Sequence, residues 1–286
     1  MVTGASGFVG RHLVPALAEN HEVVCLAREH LPEHESATAV ILADLTSPDF
    51  VDDLPQVDVV VHLAQAYLQF PEHADQLFRV NTGSTQALAE WGRRSSIRRF
   101  VFASSGSVYR PGPAPLREDD PTEPFTFHPT TKLAAELMLR HYQAFFPVAV
   151  LRLFAPYGPR QVNRLIPRMI DSVGAGRPIG LSRGGEPRIN PIYVDDLVRV
   201  IAESIDHRES YTVNVAGPDV VDIRELAERI GRQLGRSPSF EQRDVDPQGD
   251  FVADTTLMHR TFAMPQMTAL DDGLRSMIAA QIPVGR

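Results

Sequence analysis

The amino-acid sequence predicts an α/β fold: a doubly wound parallel sheet covered by helices on both faces, followed by a smaller C-terminal lobe. Three observations predict it. A glycine-rich turn, Thr3-Gly4-Ala5-Ser6-Gly7-Phe8-Val9-Gly10, opens the chain. Short, continuous apolar runs then alternate with long segments of helical spacing. After residue 155 proline and glycine become frequent and this rhythm ends. Continuous apolar strands separated by helices indicate a sheet buried on both sides.

The expected strands are Val23 to Leu26, Val40 to Leu42, Val57 to Leu63, Phe100 to Phe102 and Val148 to Leu153. The expected helices between them are Arg11 to Glu19, Glu72 to Arg94 and Thr130 to Phe146. Further on, a helix is expected from Asp195 or Asp196, whose carboxylates would cap it. Another carries Ile223, Leu226, Ile230 and Leu234 on one face, and a last amphipathic helix runs from Leu270 to Ala280. The expected division is a dinucleotide-binding domain over 1–155 plus about 191–215, and a substrate-binding lobe over 156–190 and 216–286.

Bulk properties narrow the function. The 286 residues are enough for a sizeable core. Hydrophobic residues make up 43% and charged residues 22%, as in ordinary globular proteins. A net charge of -8 argues against a nucleic-acid-binding face. No apolar run approaches the roughly 20 residues that span a bilayer. The first motif starts at residue 3, ahead of which a secretory signal has no room. The single cysteine, Cys25, cannot form an intrachain disulfide and sits in an apolar run that reads as a buried strand. These readings together place the protein in a reducing cytoplasm. His30 and His34 have helical spacing, but Pro32 between them favours a solvated loop over a metal site, and no metal is expected. Arg93-Arg94 and Arg98-Arg99 flank a helix end and a strand start and are expected to face solvent.

The glycine turn is the first motif with chemistry in it. Glycines let a backbone turn tightly and approach a pyrophosphate closely, while the helix that follows offers free N–H groups and a partial positive charge. Gly4, Ser6, Gly7, Phe8 and Val9 are therefore cofactor-binding candidates. Only three residues precede Gly4, short for a central strand; the strand is either truly short or begins upstream. At the end of the second strand, Leu26-Ala27-Arg28 lacks the acidic residue that usually holds the ribose 2′-OH of NAD, and Arg28 offers a cation to a 2′-phosphate. This favours NADP, with NAD as the alternative.

Several more motifs follow in order. They are Asp44-Leu45, His62-Leu63-Ala64, Val80-Asn81-Thr82-Gly83, Ser104-Ser105-Gly106-Ser107-Val108-Tyr109, Lys132, Arg152 to Pro159, and Tyr193-Val194-Asp195-Asp196. With them the chain resembles, over nearly its whole length, an extended short-chain dehydrogenase/reductase of the NAD-dependent epimerase/dehydratase family. The resemblance implies a Rossmann-type fold and an NAD(P)-dependent oxidoreductase or epimerase acting on a nucleotide sugar or a sugar-like alcohol or ketone. It implies that Asp44 and Leu45 contact the adenine, and that Leu63, Ala64, Asn81 and Phe154 line the cofactor path. Ser105 takes the place of the catalytic serine, and Lys132 that of the lysine that holds the nicotinamide ribose. Ser107, Arg160 and Arg188 are substrate-side candidates. A homodimer through the helices at 72–94 and 130–146 is also implied.

The departures lie on the substrate side. The family places an acid/base tyrosine four residues before the lysine; here that position is His128. An imidazole titrates near neutral pH, so His128 can serve as the proton acceptor. The Lys132 cation nearby would favour neutral imidazole, which helps oxidation of an alcohol more than reduction of a ketone. In the competing reading His128 only caps or precedes the helix. Tyr109 and Tyr142 lack the four-residue spacing to substitute. Ala155, Ile189 and Pro247 stand where relatives often carry an asparagine and two arginines that grip the diphosphate, while Arg160, Arg164, Arg183, Arg188 and Arg243 are possible replacements. A catalytically idle cofactor-binding protein and a non-redox isomerase or eliminase on the same scaffold are the alternatives to the redox enzyme.

Overall fold

The computed structural model describes residues 1–29, 35–182, 187–244, 249–264 and 266–281. His30, His34, Arg183 and Pro247 lie outside these residues. The elements in chain order begin with β1 (Val2–Thr3), α1 (Phe8–Ala18), β2 (Val24–Ala27), β3 (Ala39–Leu42) and β4 (Val59–His62). Next come α2 (Ala74–Phe78), a π turn over Arg79–Gly83, α3 (Ser84–Arg94), β5 (Arg99–Ser105), α4 (Phe127–Tyr142) and β6 (Val148–Leu153). The remainder is α5 (Leu165–Gly174), β7 (Ile179–Ser182), β8 (Arg188–Ile189), α6 (Val194–Ser204), β9 (Tyr211–Val215), β10 (Val221–Asp222), α7 (Ile223–Leu234), β11 (Phe240–Arg243), α8 (Thr256–Thr261) and α9 (Leu270–Gln281).

Seven strands form one sheet in the order β3-β2-β1-β4-β5-β6-β9. The pairs from β3 through to β6 run parallel. One row of paired residues crosses them: Ile41, Leu26, Thr3, His62, Phe102 and Val150. Side chains in such a row share a face. The order reverses between β1 and β4, and in open parallel sheets the crevice at the carboxyl ends beside such a reversal is the ligand site. The core on this sheet gathers Leu26, Val60, Leu88, Trp91, Phe100, Phe102, Leu139 and Val148. Cys25 is fully buried in β2.

The chain divides into two compact units. The first holds Met1–Arg110, Glu118–Leu153 and Val198–Val213; the second holds Pro111–Arg117, Phe154–Leu197 and Asn214–Arg286. In the second unit, β8 pairs with β10 and β7 with β11, two short ladders that the sequence reading did not anticipate. Asp222 caps α7 by accepting the Glu225 N–H at 2.7 Å, and Gly235, at φ 63°, ends it. No helix among the described residues is long and apolar enough to cross a membrane.

Four local expectations are corrected. The helix expected from Thr130 starts at Phe127 with Thr126 as its N-cap, so His128 lies inside the first turn and caps nothing. The helix expected over 72–94 is helical from Ala74 to Arg94, but its middle, Arg79–Gly83 around Asn81, is a π turn and not regular α-helix. Asp195 and Asp196 sit within the first turn of α6, where negative charge suits the helix dipole, and buried Asp196 accepts the Thr268 N–H at 2.8 Å. Arg99 does not face solvent: it is 1% exposed, donates to the carbonyls of His207 and Glu209, and has its guanidinium 5.2 Å from the Tyr211 ring.

Helix α4 is tied to β5 and β6 by a buried polar network. The Glu136 carboxylate takes a forked ion pair from Arg152, with its closest contact at 2.7 Å, and the Ser104 hydroxyl donates to the same carboxylate. Arg152 also donates to the Tyr109 hydroxyl at 2.5 Å and lies 4.7 Å over that ring. A buried ion pair is tolerated when its polar atoms are satisfied, and stranding one partner typically costs about 3–5 kcal/mol. The network therefore fixes the register of α4 against the sheet.

Candidate functional site

At the carboxyl end of β1 the chain turns at Gly4, whose φ of 67° favours glycine. A Cβ on Gly4 would come within 2.7 Å of the Ala64 backbone nitrogen, so the absent side chain lets the loop close onto the end of β4. A Cβ on Gly10 would run into the Gly4 carbonyl. Helix α1 starts immediately, with Gly7 at its N-cap and no side chain capping it. Its first N–H groups are left for an outside acceptor. Ser6 adds a rigid point, because its carbonyl accepts from Arg11 Nε at 2.9 Å.

Below this loop the row Thr3, His62 and Phe102 is a chain of contacts. Thr85 donates its hydroxyl to the Asn81 carbonyl at 2.9 Å, so at His62 Nε2, 3.0 Å away, it acts as acceptor. That places the imidazole proton on Nε2 and leaves Nδ1 to accept from Thr3 Oγ1 at 2.6 Å. Thr3 Oγ1 in turn accepts the Ala64 N–H at 3.2 Å. Burial, and then the Lys132 charge, hold His62 down to about 3, so it stays neutral and structural. Its ring stacks on Phe102 at 5.8 Å.

Lys132 projects from α4 onto that same ring, with Nζ 4.2 Å from the Phe102 centroid. It is fully buried, and Nζ has no hydrogen-bond partner among the described residues. Burial pushes the ammonium down to about 7, against the opposing pull of Glu136 one turn on. An ammonium has three donors, so a buried one without acceptors is built to meet a group that is not protein. Together with the glycine cradle, this fits the hydroxyls and phosphates of a dinucleotide.

Asn81, in the π turn, spends its whole amide on the same corner. Oδ1 accepts the Ala66 N–H at 2.7 Å; Nδ2 donates to the Ala66 carbonyl at 3.1 Å and to Thr131 Oγ1 at 3.0 Å. Thr131 passes the link on by donating to the His128 carbonyl at 2.6 Å. His128 is half-buried on the first turn of α4, one turn before Lys132, so the two side chains share a helix face. Tyr67 packs edge-on against the His128 ring, with centroids 4.9 Å apart. Sequence reasoning missed Tyr67, because a loop residue whose contact is tertiary obeys no spacing rule.

The two serines at the end of β5 differ. Ser104 is buried and committed to Glu136. Ser105 is partly exposed at the strand end, and its oxygen accepts the Ser107 N–H at 3.1 Å, a bond that uses a lone pair and not the hydroxyl proton. Tyr109 is buried on Arg152, and Tyr142 stands about 21 Å along α4 from His128 at 1.5 Å per residue. Arg28 and Asp44 are exposed at the ends of β2 and β3; Thr46 lowers the Asp44 carboxyl by hydrogen bonding, and the Arg28 charge adds to this. Leu45 and Leu63 are partly buried and Ala64 is buried.

The remaining candidates belong to the second unit. Phe154 is buried against Phe251 at 5.5 Å. Arg160 is exposed with φ 65°. Arg188 is held by Asp250 through two side-chain bonds of 2.8 and 2.6 Å, and Arg243 is paired with Glu241. Ala155 adopts φ 41°, a left-handed conformation that costs an alanine about 1 kcal/mol and suits asparagine better.

The model of the NAD dependent epimerase/dehydratase family matches residues 1–216. The chain belongs to that family. A Bacillus subtilis relative named an uncharacterized UDP-glucose epimerase, YtcB, is 28% identical, with 98% of this chain and 96% of its own length covered. A Streptomyces protein named dTDP-4-dehydro-6-deoxy-D-allose reductase is 28% identical over 90% of this chain and 87% of its own. Among solved structures, MoeE5 in complex with UDP-glucose and NAD is 30% identical with a TM-score of 0.86, covering 98% of this chain and 97% of that one. The family thus spans epimerisation and reduction on one scaffold.

The Lys132 environment yields a stability prediction. Unfolded lysine binds its proton up to about 10.5 and the folded one only up to about 7, so the folded chain excludes a proton through that window and gains stability as pH rises through it. At about pH 8 the exclusion costs roughly 3 kcal/mol. Lys132→Met is expected to stabilise the cofactor-free protein by about that amount in urea melts, by less at about pH 10, and to weaken dinucleotide binding at least tenfold. A destabilised variant that binds dinucleotide as tightly as wild type would contradict the assignment.

Proposed function

We propose that this protein is an NAD-dependent enzyme that interconverts an alcohol and a ketone on the sugar of a nucleotide sugar. The observation that carries this reading is the buried Lys132 ammonium, with no acceptor among the described residues, on one helix face with His128 and linked through the Phe102 and His62 rings to Thr3, the residue before the glycine cradle. The backbone N–H groups of Phe8 and Val9 and the turn at Gly4 would hold the pyrophosphate, Asp44 and Leu45 the adenine side, and Lys132 the nicotinamide ribose. A bound nicotinamide supplies the hydride chemistry. Ser105 donates its hydroxyl proton to the substrate oxygen while its own oxygen stays fixed by the Ser107 N–H. His128 removes the proton from the substrate hydroxyl as the carbonyl forms and returns it in the reverse direction. Lys132 contributes positive charge beside the oxygen that is becoming a carbonyl.

NAD is proposed over the NADP expected from Arg28. The 30%-identical relative has NAD bound, and the Asp44 carboxylate near enough to feel Arg28 offsets the charge a 2′-phosphate would use. The nucleotide-sugar substrate is supported by that same relative, which has UDP-glucose bound. We also propose a homodimer, because α2, α4 and the turn after α4 expose Phe78, Leu137 and Phe145 at 51%, 47% and 61%. A single-chain mass by light scattering would contradict it.

The functional test pairs cofactor titration with turnover of UDP-glucose and UDP-glucuronic acid. NAD is expected to bind more tightly than NADP; the opposite order overturns the cofactor assignment. His128→Ala is expected to lower kcat about 100-fold while leaving the NAD affinity within about twofold. Full turnover in that variant removes His128 from the reaction. Activity that appears only in His128→Tyr would show a scaffold that binds cofactor without catalysis.

A further inference from the structure

We infer that Tyr67 is a positioning residue for His128: its ring fixes the plane of the imidazole that faces the substrate. The inference rests on the reading of His128 as the proton acceptor. An imidazole turns about a broad torsion at its last bond, so backbone placement alone does not decide where its nitrogens point. A tyrosine at this helix position carries its hydroxyl on the ring axis, where that torsion does not move it. A histidine that takes over the position needs a second contact to hold its ring.

The structure supplies one. Tyr67 meets His128 edge-on, with an interplanar angle of 66° and centroids 4.9 Å apart, a favoured geometry for aromatic pairs. Both backbones are anchored to a single buried side chain. Asn81 clamps Ala66, the residue before Tyr67, through both its N–H and its carbonyl, and reaches the His128 carbonyl through Thr131. A second ring pair joins the same two segments: Phe70, three residues after Tyr67, stacks on Phe127, the residue before His128, at 4.7 Å and 20°. The loop that follows β4 is thereby fixed to the first turn of α4 on both sides of the Tyr67–His128 contact. Tyr67 is otherwise 64% exposed, an arrangement hard to explain by core packing.

The ring, not the hydroxyl, is the working part in this account. Tyr67→Phe and Tyr67→Ala separate the two. The Phe variant is expected to keep kcat within about twofold of wild type; the Ala variant is expected to lose about tenfold or more in kcat with KM for the sugar and for NAD changed less than about twofold. The second readout needs no turnover. The His128 ring-proton NMR signals, assigned by their loss in His128→Ala, are expected to shift in Tyr67→Ala and to stay near their wild-type positions in Tyr67→Phe. Unmoved signals in the Ala variant would overturn the contact itself. Shifted signals with unchanged kcat would overturn its role in the reaction, and a Phe variant as slow as Ala would transfer the role to the hydroxyl. If His128→Ala retains full turnover while the signals still respond to Tyr67→Ala, the acid/base reading fails and the ring contact stands.

Discussion

The candidate site depends on one unfavourable choice: a lysine ammonium placed beneath the surface on an aromatic ring, with no hydrogen-bond acceptor among the described residues. Several polar groups beneath and beside it are satisfied within the protein. Thr3, His62 and Thr85 close a chain in which each donor meets an acceptor, and Asn81 uses its whole amide. Glu136, the carboxylate one turn from Lys132, is taken up by Arg152 and Ser104 instead. The protein thus withholds a partner from Lys132, and an unpaired buried charge is tolerated where it is to be met by a ligand. The site's rigidity follows from the same arrangement. The ion pair that takes Glu136 also locks α4 against β5 and β6, and so sets the height at which Lys132 and His128 stand above the sheet.

Two kinds of constraint meet along α4. After its first turn, Lys132, Ala135, Glu136 and Leu139 are held by burial. Residues in its first turn, Phe127 and His128, face the loop after β4 and are fixed by ring contacts and by the Asn81 amide. The π turn belongs to this second group. It places Asn81 and Thr82 side by side against Thr131, where Thr82 donates to the Thr131 carbonyl at 2.9 Å. Widened helical turns of this kind are frequent at functional sites.

Much of this was legible in the sequence. Continuous apolar runs marked the parallel strands because a sheet buried on both faces leaves no room for polar alternation, and Gly4 and Gly10 marked the loop because a Cβ at either would strike backbone. What escaped reading was set by tertiary partners. Arg99 looked like a solvated charge because the carbonyls of His207 and Glu209 that bury it lie more than a hundred residues away. The competing reading of His128 as a cap came from placing the helix start at Thr130, whereas the helix begins at Phe127 and takes Pro129 into its first turn, where proline is well suited. Tyr67 carried no signal, since a loop ring that meets a ring on a helix distant in sequence leaves no periodicity. The β7, β8, β10 and β11 ladders of the second unit are too short, at two to four residues, for alternation to show.

The most direct test of the account is the Lys132 ammonium itself. Its Nζ can be titrated by NMR with labelled lysine, first in the cofactor-free protein and then with NAD. The account predicts a titration near 7 without NAD and a clear upward shift with it, because ligand hydroxyls and phosphates would give the charged form the acceptors that the protein lacks. An ammonium that titrates like an exposed lysine, or that does not respond to saturating NAD, would contradict it.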